Sequence, residues 1–261
     1  MLSAIGSQTV RFLEYLGGLS RQTKEGFYWT FIAPFRGGRL RWGSAVHQMA
    51  VAGVNALPVV CLIAFFVGLI IAMQSGLEMK KFGAMRFVVD LVGVSITREL
   101  GPLMTAIIVI GRSGSAFAAE LGTMKVSEEV DALVTMGLNP INFLLVPKFL
   151  AMMIMMPCLT TVADLMGILG GAVFAFSAMG MGLGPYLLAT AEALVMRDIV
   201  SGLVKSIMFG MVIVQIGCYE GFTVSGGPEG VGRSTTSSVV ISIFSVIVVD
   251  VIFTAFFYLL G

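Results

Sequence analysis

The sequence predicts an all-α integral membrane protein with about five transmembrane helices, an N-terminal interfacial amphipathic helix and a short cytoplasmic helix between two spans. Three observations carry this. Of 261 residues, 57% are hydrophobic and 12% are charged, with a mean hydropathy of +0.97; that balance is too apolar for a soluble domain. Apolar stretches recur at close to the roughly 20 residues needed to cross a bilayer. Between two of them lies one polar island, Gly111 to Lys148.

The same composition excludes several functions. A net charge of +1, with no basic stripe interleaved with aromatics, argues against nucleic-acid binding. Cys61, Cys158 and Cys218 fall in apolar stretches and read as small buried hydrophobes. One histidine and no Cys/His cluster leave neither a hydrolytic triad nor a metal site. MLSAIGSQTVRF lacks the basic, apolar and cleavage regions of a signal peptide, and no serine-rich transit segment follows, which favours a bacterial protein.

Residues 1–48 form the expected interfacial segment. Arg11, Arg21, Lys24, Arg36, Arg39 and Arg41 outnumber Glu14 and Glu25, and Phe27, Phe31 and Phe35 recur every four residues. Aromatics on one side and cations on the other suit a helix lying in the inner-leaflet interface. The rest, 49–261, is the membrane domain. Residues 50–73 carry no charge and make the first span; 87–111 make the second, holding Asp90, Arg98 and Glu99. The third is 149–176 with Asp164, the fourth 199–222 with Lys205, the fifth 239–260 with Asp250. Residues 177–197 read as an external loop with a short helix, and 223–238 as a Gly/Ser-rich loop. Placing the N-terminus inside leaves ten loop cations in the cytoplasm and four outside, the bias expected of the orientation. The C-terminus is then external, and the connection 112–148 cytoplasmic.

Within that connection, VSEEVDALVTMGLNP reads as a helix over 127–137. Ser127 suits its N-cap, with acids in the first turn favouring the positive end of the helix dipole. Val130, Leu133 and Val134 form a narrow apolar stripe. Gly137 suits a left-handed stop, and Asn139-Pro140 forbids continuation. Such a helix between two spans is a knob for a soluble partner. A second motif misleads: GPEGVGRS, from Gly227, fits a phosphate-loop pattern with Arg233 in place of lysine. It has no strand before it and no room for a nucleotide domain, so a turn followed by a capped helix start at Ser234–Ser238 is the better reading.

Intramembrane charge costs at least ~2.5–3.5 kcal/mol per residue and needs a partner or a watery cavity. Mutual pairing of Lys205 with Asp164 and Asp250 is one expectation. Arg98 and Glu99 lie about 100° apart on a helix and cannot neutralise each other. Pro102 cannot donate to the Arg98 carbonyl, and Gly101 weakens the same turn, so a kink is expected there. Irregular backbone at that depth suits a cavity wall, and a guanidinium there can hold a phosphate by two parallel hydrogen bonds. A structural ion pair to another span remains the alternative.

GRSGSAFAAELGTMKVSEEVDALVTMGLNP, RELGP at Arg98 to Pro102, and GGPEGVGRSTTSSVV at Gly226 to Val240 resemble the signature stretches of MlaE/YrbE-type permeases. These are membrane subunits of bacterial ABC systems that move phospholipids and related lipids. The resemblance implies a homodimeric permease of the bacterial inner membrane, a cytoplasmic ABC ATPase that binds the ATP and Mg, a periplasmic MCE-type lipid-binding subunit and a small STAS-type regulatory subunit. It implies a role in outer-membrane lipid asymmetry and no cofactor in this chain. It makes 127–137 the coupling helix, with Glu128, Glu129, Val130, Leu133, Val134, Met136 and Gly137 at the ATPase. It favours a lipid cavity at Arg98, Glu99 and Leu100, with Ile71, Gln74, Glu78 and Met79 as further wall or rim. An ion-coupled secondary transporter using Asp164, Lys205 and Asp250, and a non-transporting scaffold, are the competing classes.

Overall fold

The computed structural model describes residues 2–33 and 41–259, and within them there is helix and no strand. We label the helices α1 (Leu2–Phe27, prolonged by a π-turn at Tyr28–Ile32), α2 (Trp42–Lys81), α3 (Phe87–Val126), α4 (Glu129–Thr135), α5 (Ile141–Met179), α6 (Leu183–Ala193), α7 (Met196–Phe222) and α8 (Gly227–Leu259). Five of them, α2, α3, α5, α7 and α8, are long and apolar enough to cross a membrane. Phe35, Arg36 and Arg39 of the N-terminal segment lie outside the described residues.

The bundle closes around α5. Leu145, Phe149, Met152, Met156, Leu159 and Ala163 on its buried face meet Val60 and Ala64 of α2, Val109 and Ile110 of α3, and Phe209 and Ile213 of α7. Glycine sets how closely these helices approach: a Cβ on Gly68 of α2 collides with the carbonyl of Gly167 in α5, and one on Gly202 of α7 collides with the carbonyl of Thr97 in α3. Backbone contact of this kind is how membrane helices associate without a hydrophobic driving force between them. The α8 helix is the least enclosed, with Phe244, Val251, Ile252 and Phe256 all exposed.

Several sequence expectations change. The helices outrun the membrane spans: α3 continues through 112–126, so the island is mostly helix, not loop. The connection before α8 is also shorter, because that helix starts at Gly227, where Gly226 at φ 89° and Gly227 at φ 71° make the turn. GPEGVGRS is therefore the first turns of α8, with Arg233 paired to Glu229 one turn away at 2.5 Å. Ser234 caps nothing; its hydroxyl donates to the Glu220 carbonyl at 2.5 Å. Of the cysteines only Cys218 is buried, and Cys158 faces outward.

Candidate functional site

Charged residues of α3, α7 and α8 converge on one point. Lys205, 2% exposed, sits where α7 packs on α3, and the glycine one turn before it allows that approach. Its ammonium pairs with Glu99 Oε2 at 2.5 Å and Asp250 Oδ1 at 3.0 Å, and donates to Thr254 Oγ1 at 2.7 Å. The Thr254 hydroxyl in turn donates to Glu99 Oε1 at 3.1 Å. One cation thus holds two carboxylates from different helices, which satisfies the requirement that intramembrane charge be paired. The expected pairing with Asp164 does not occur. Asp164 points from α5 at Gly101, and its Oδ1 is buried without a hydrogen-bond partner. Glu99, adjacent to Arg98 in sequence, takes its place because the ~100° step turns it toward α7 and α8.

Arg98 goes to Asp198 at the start of α7, Nε to Oδ1 at 2.9 Å. Asp198 is doubly used: its Oδ2 accepts from the Val195 N–H at 3.1 Å, closing the first turn of α7. The Arg98 side chain remains 43% exposed, whereas Asp198 is buried. The backbone beneath is irregular. Ile96–Leu100 is a π-turn in which the Gly101 N–H donates to the Ile96 carbonyl, five residues back. Pro102 follows at once, so its missing donor falls where the ladder is already widened.

The other expected wall residues separate. Leu100 and Gly101 line a narrow apolar crevice with Val60, Ala64, Val67 and Ala163. Ile71 and Met79 pack against Val88, Val92 and Ile96 near the far end of α2. Gln74 and Glu78 are exposed, with Glu78 paired to Lys81 at 2.9 Å. Among the described residues, these seven fall in separate places and do not line one pocket. Nothing in the sequence singles out Thr254; for Asp198 the available signal is an acid three residues into a helix start.

At the other end of α3, the short helix α4 is Glu129–Thr135, not 127–137. Ser127 does not cap it, because α3 runs to Val126 and the Ser127 hydroxyl back-bonds to the Thr123 carbonyl at 2.9 Å. Glu128 makes the break, in the left-handed region at φ 61°. The stop is as expected: Gly137, at φ 75°, donates to the Val134 carbonyl and Leu138 to the Leu133 carbonyl, a Schellman closure. Asn139 then caps α5, its Oδ1 accepting from the Ile141 N–H at 2.9 Å. Val130 and Leu133 are buried against the chain's own helices, whereas Val134 (57%) and Met136 (65%) face outward with Glu128 and Glu129. Lys125 pairs with Asp131 at 2.8 Å across the break. Behind this, Lys148 of α5 is buried and paired with Glu120 of α3 at 2.7 Å, tying together the two helices that flank α4.

The N-terminal helix also reaches this end. Tyr15 meets Tyr219 of α7 edge-on, with ring centroids 4.9 Å apart. Burial, then the nearby Glu220 carboxylate, push the Tyr15 hydroxyl above its ordinary range.

Known proteins resemble this sequence along most of its length. The family model described as Permease MlaE matches residues 45–256. A probable ABC transporter permease of Rickettsia conorii is 34% identical over 98% of this chain and 97% of its own. A probable ABC transporter permease of Synechocystis is 36% identical over 81% of this chain and 80% of its own. The chloroplastic protein trigalactosyldiacylglycerol 1 of Arabidopsis thaliana is 37% identical over 85% of this chain and 63% of its own.

Proposed function

Since this chain belongs to the MlaE permease family, and is on that ground a non-catalytic, multi-pass subunit of an ABC transporter, we propose that its cargo is phospholipid. It works as a homodimer in the bacterial inner membrane, with a cytoplasmic ATPase seated on α4 and an MCE-type lipid-binding subunit outside. The observation that carries the lipid reading is Arg98: its side chain is anchored through Nε by Asp198 at the start of α7, yet is 43% exposed. Anchoring fixes its orientation and leaves other donors free for a phosphate. The Arabidopsis relative, whose name is that of a galactolipid, supports a lipid cargo.

The mechanism follows from the elements. Closure of the ATPase pair pushes on Val134, Met136 and the two glutamates. The α4 helix is joined to α3 and α5 by very short connections, and Lys148–Glu120 ties those helices just behind it, so the push reaches the spans as rigid-body motion. The α3 and α7 helices meet through Arg98–Asp198 and Glu99–Lys205, so relative motion there changes the exposure of the Arg98 side chain.

A charge swap tests the reading. Arg98→Ala lowers co-purified phospholipid and transport. The double variant Arg98→Asp with Asp198→Arg restores the ion pair and the melting temperature, yet leaves transport low because the cation has moved to α7. Transport restored to the original level by the swap reduces Arg98 to a structural partner and removes it from the lipid site.

A further inference from the structure

The Lys148–Glu120 tie borders a polar cavity that the mechanism leaves unused. It has a volume of about 310 Å³ and lies at the start of α2, with a polar lining of Arg41, Ser44, His47, Gln48, Glu120 and Lys148. Phe143, Leu144 and Pro147 of α5 add an apolar wall. A second cavity of about 160 Å³ adjoins it further along α2, sharing Gln48 and Glu120 and adding Asn55, Arg112 and Ser113. The charges of this cleft do not balance. Glu120 is the one acid in either lining, and the buried Lys148 ammonium holds it at 2.7 Å. Lys148 is thereby spent, and the exposed Arg41 and Arg112 are left over. Among the described residues neither forms an ion pair. Arg41 is nonetheless held in place, its Cζ 3.8 Å over the centroid of the Phe143 ring. Stacking occupies the face of the guanidinium and leaves its edge N–H groups free, the geometry that suits a phosphate.

Position selects the source of the phosphate. The uncharged stretch 50–73 of α2 begins just past His47 and Gln48, so the cavity lies at the level of lipid headgroups. Trp42, 55% exposed beside it, stands where interfacial aromatics stand. In the sequence Arg36 and Arg39 precede Arg41, and juxtamembrane basic clusters of this kind attract anionic lipid. We infer that the cleft binds the phosphodiester headgroup of an anionic phospholipid, in the leaflet on the α4 side. Arg41 is the phosphate ligand, and Arg112 adds positive charge from the adjoining cavity. The acyl chains follow α2 into the bilayer past the exposed Val51 and Val54. Arg112 lies roughly 21 Å along α3 from Arg98 at 1.5 Å per residue, so this lipid is separate from the cargo held there. It is a resident lipid that joins the start of α2 to the two helices flanking α4.

Trp42 reports on the site, because Trp29→Phe leaves it as the one tryptophan of the chain. The test places that whole chain in vesicles of phosphatidylcholine and phosphatidylglycerol at a fixed ratio, with bromine on the acyl chains of one lipid or the other. Bromine quenches tryptophan on close approach, so the two series give the relative occupancy of each lipid beside Trp42. Phosphatidylglycerol is preferred about 5-fold, the contribution of one arginine near an anionic headgroup. Arg41→Gln removes that preference, whereas Lys24→Gln on α1, outside the cleft, leaves it. Equal quenching by the two lipids overturns the site. A preference that survives Arg41→Gln combined with Arg112→Gln overturns the ligands. A preference lost equally in Lys24→Gln means diffuse attraction and overturns the site as well. Millimolar inorganic phosphate that abolishes the preference makes the ligand a soluble anion and overturns the lipid. The readout needs neither ATP nor transport, so it stands or falls separately from the cargo.

Discussion

Lys205 is one ammonium shared by Glu99, Asp250 and Thr254, and the sharing makes its loss unequal to the loss of either acid. Removing one partner of a buried pair leaves an uncompensated charge, which costs about 3–5 kcal/mol. Lys205→Met leaves two carboxylates facing each other and belongs at that end. Glu99→Gln keeps the Lys205–Asp250 pair and removes one charged hydrogen bond, so it costs about 1.5–3 kcal/mol. Thermal unfolding of the purified protein should rank Lys205→Met as the less stable of the two; the reverse order means the ammonium is not the keystone. Asp164 behaves oppositely. Its Oδ1 is buried and unpartnered, so the near-isosteric Asp164→Asn, which removes the charge, is neutral or raises the melting temperature. The need for partners was legible in the sequence, because charge in a span is costly. Which partners was not: the pairs join residues 45 to 106 positions apart, and a single ~100° step decided that Glu99, not Asp164, reaches Lys205.

At the scale of the element, α4 shows how far a period can be read. The spacing of Val130, Leu133 and Val134 gave an apolar stripe, and the stop at Gly137 was written in the glycine and in Asn139-Pro140. The side facing a partner was not written there, because Val130 and Leu133 are covered by the chain itself and Val134 and Met136 are not. The two sides make different predictions. Leu133→Ala costs roughly 2–5 kcal/mol of stability as a core truncation. Val134→Asp with Met136→Asp leaves melting unchanged and releases the ATPase on purification, as does Glu128→Lys with Glu129→Lys. A double variant that still retains the ATPase shows that α4 is not its seat. The start of the element was misread for a physical reason: Ser and Thr hydroxyls bond back to carbonyls of a preceding turn as readily as they cap a following one, and a helix that has already left the membrane carries no hydropathy signal for where it ends.

Across the whole molecule the five spans were legible from hydropathy alone, and the lengths of the helices were not. The α2 and α3 helices are 40 residues each, roughly 60 Å at 1.5 Å per residue, against a hydrocarbon core of about 30 Å. Polar stretches that read as loops, 112–126 and 227–238, are the ends of such helices. This stiffens the route from α4 into the bilayer and gives the orientation mechanical consequences. Three sites at one end of the bundle, the α4 helix, the Lys148–Glu120 pair and the Ser234–Glu220 contact, all lie on the side that the cation count assigns to the cytoplasm. The opposite end carries Phe82, exposed between α2 and α3. A membrane-impermeant maleimide applied to cells with a permeabilised outer membrane and an intact inner membrane should label Phe82→Cys and leave Ser127→Cys unlabelled. Disrupting the inner membrane should then expose Ser127→Cys. Cys61 and Cys158 lie along spans and Cys218 is buried, so the unmodified chain supplies the background. The reverse pattern places α4 outside the cell's ATP supply, and an ATPase seated there is then impossible.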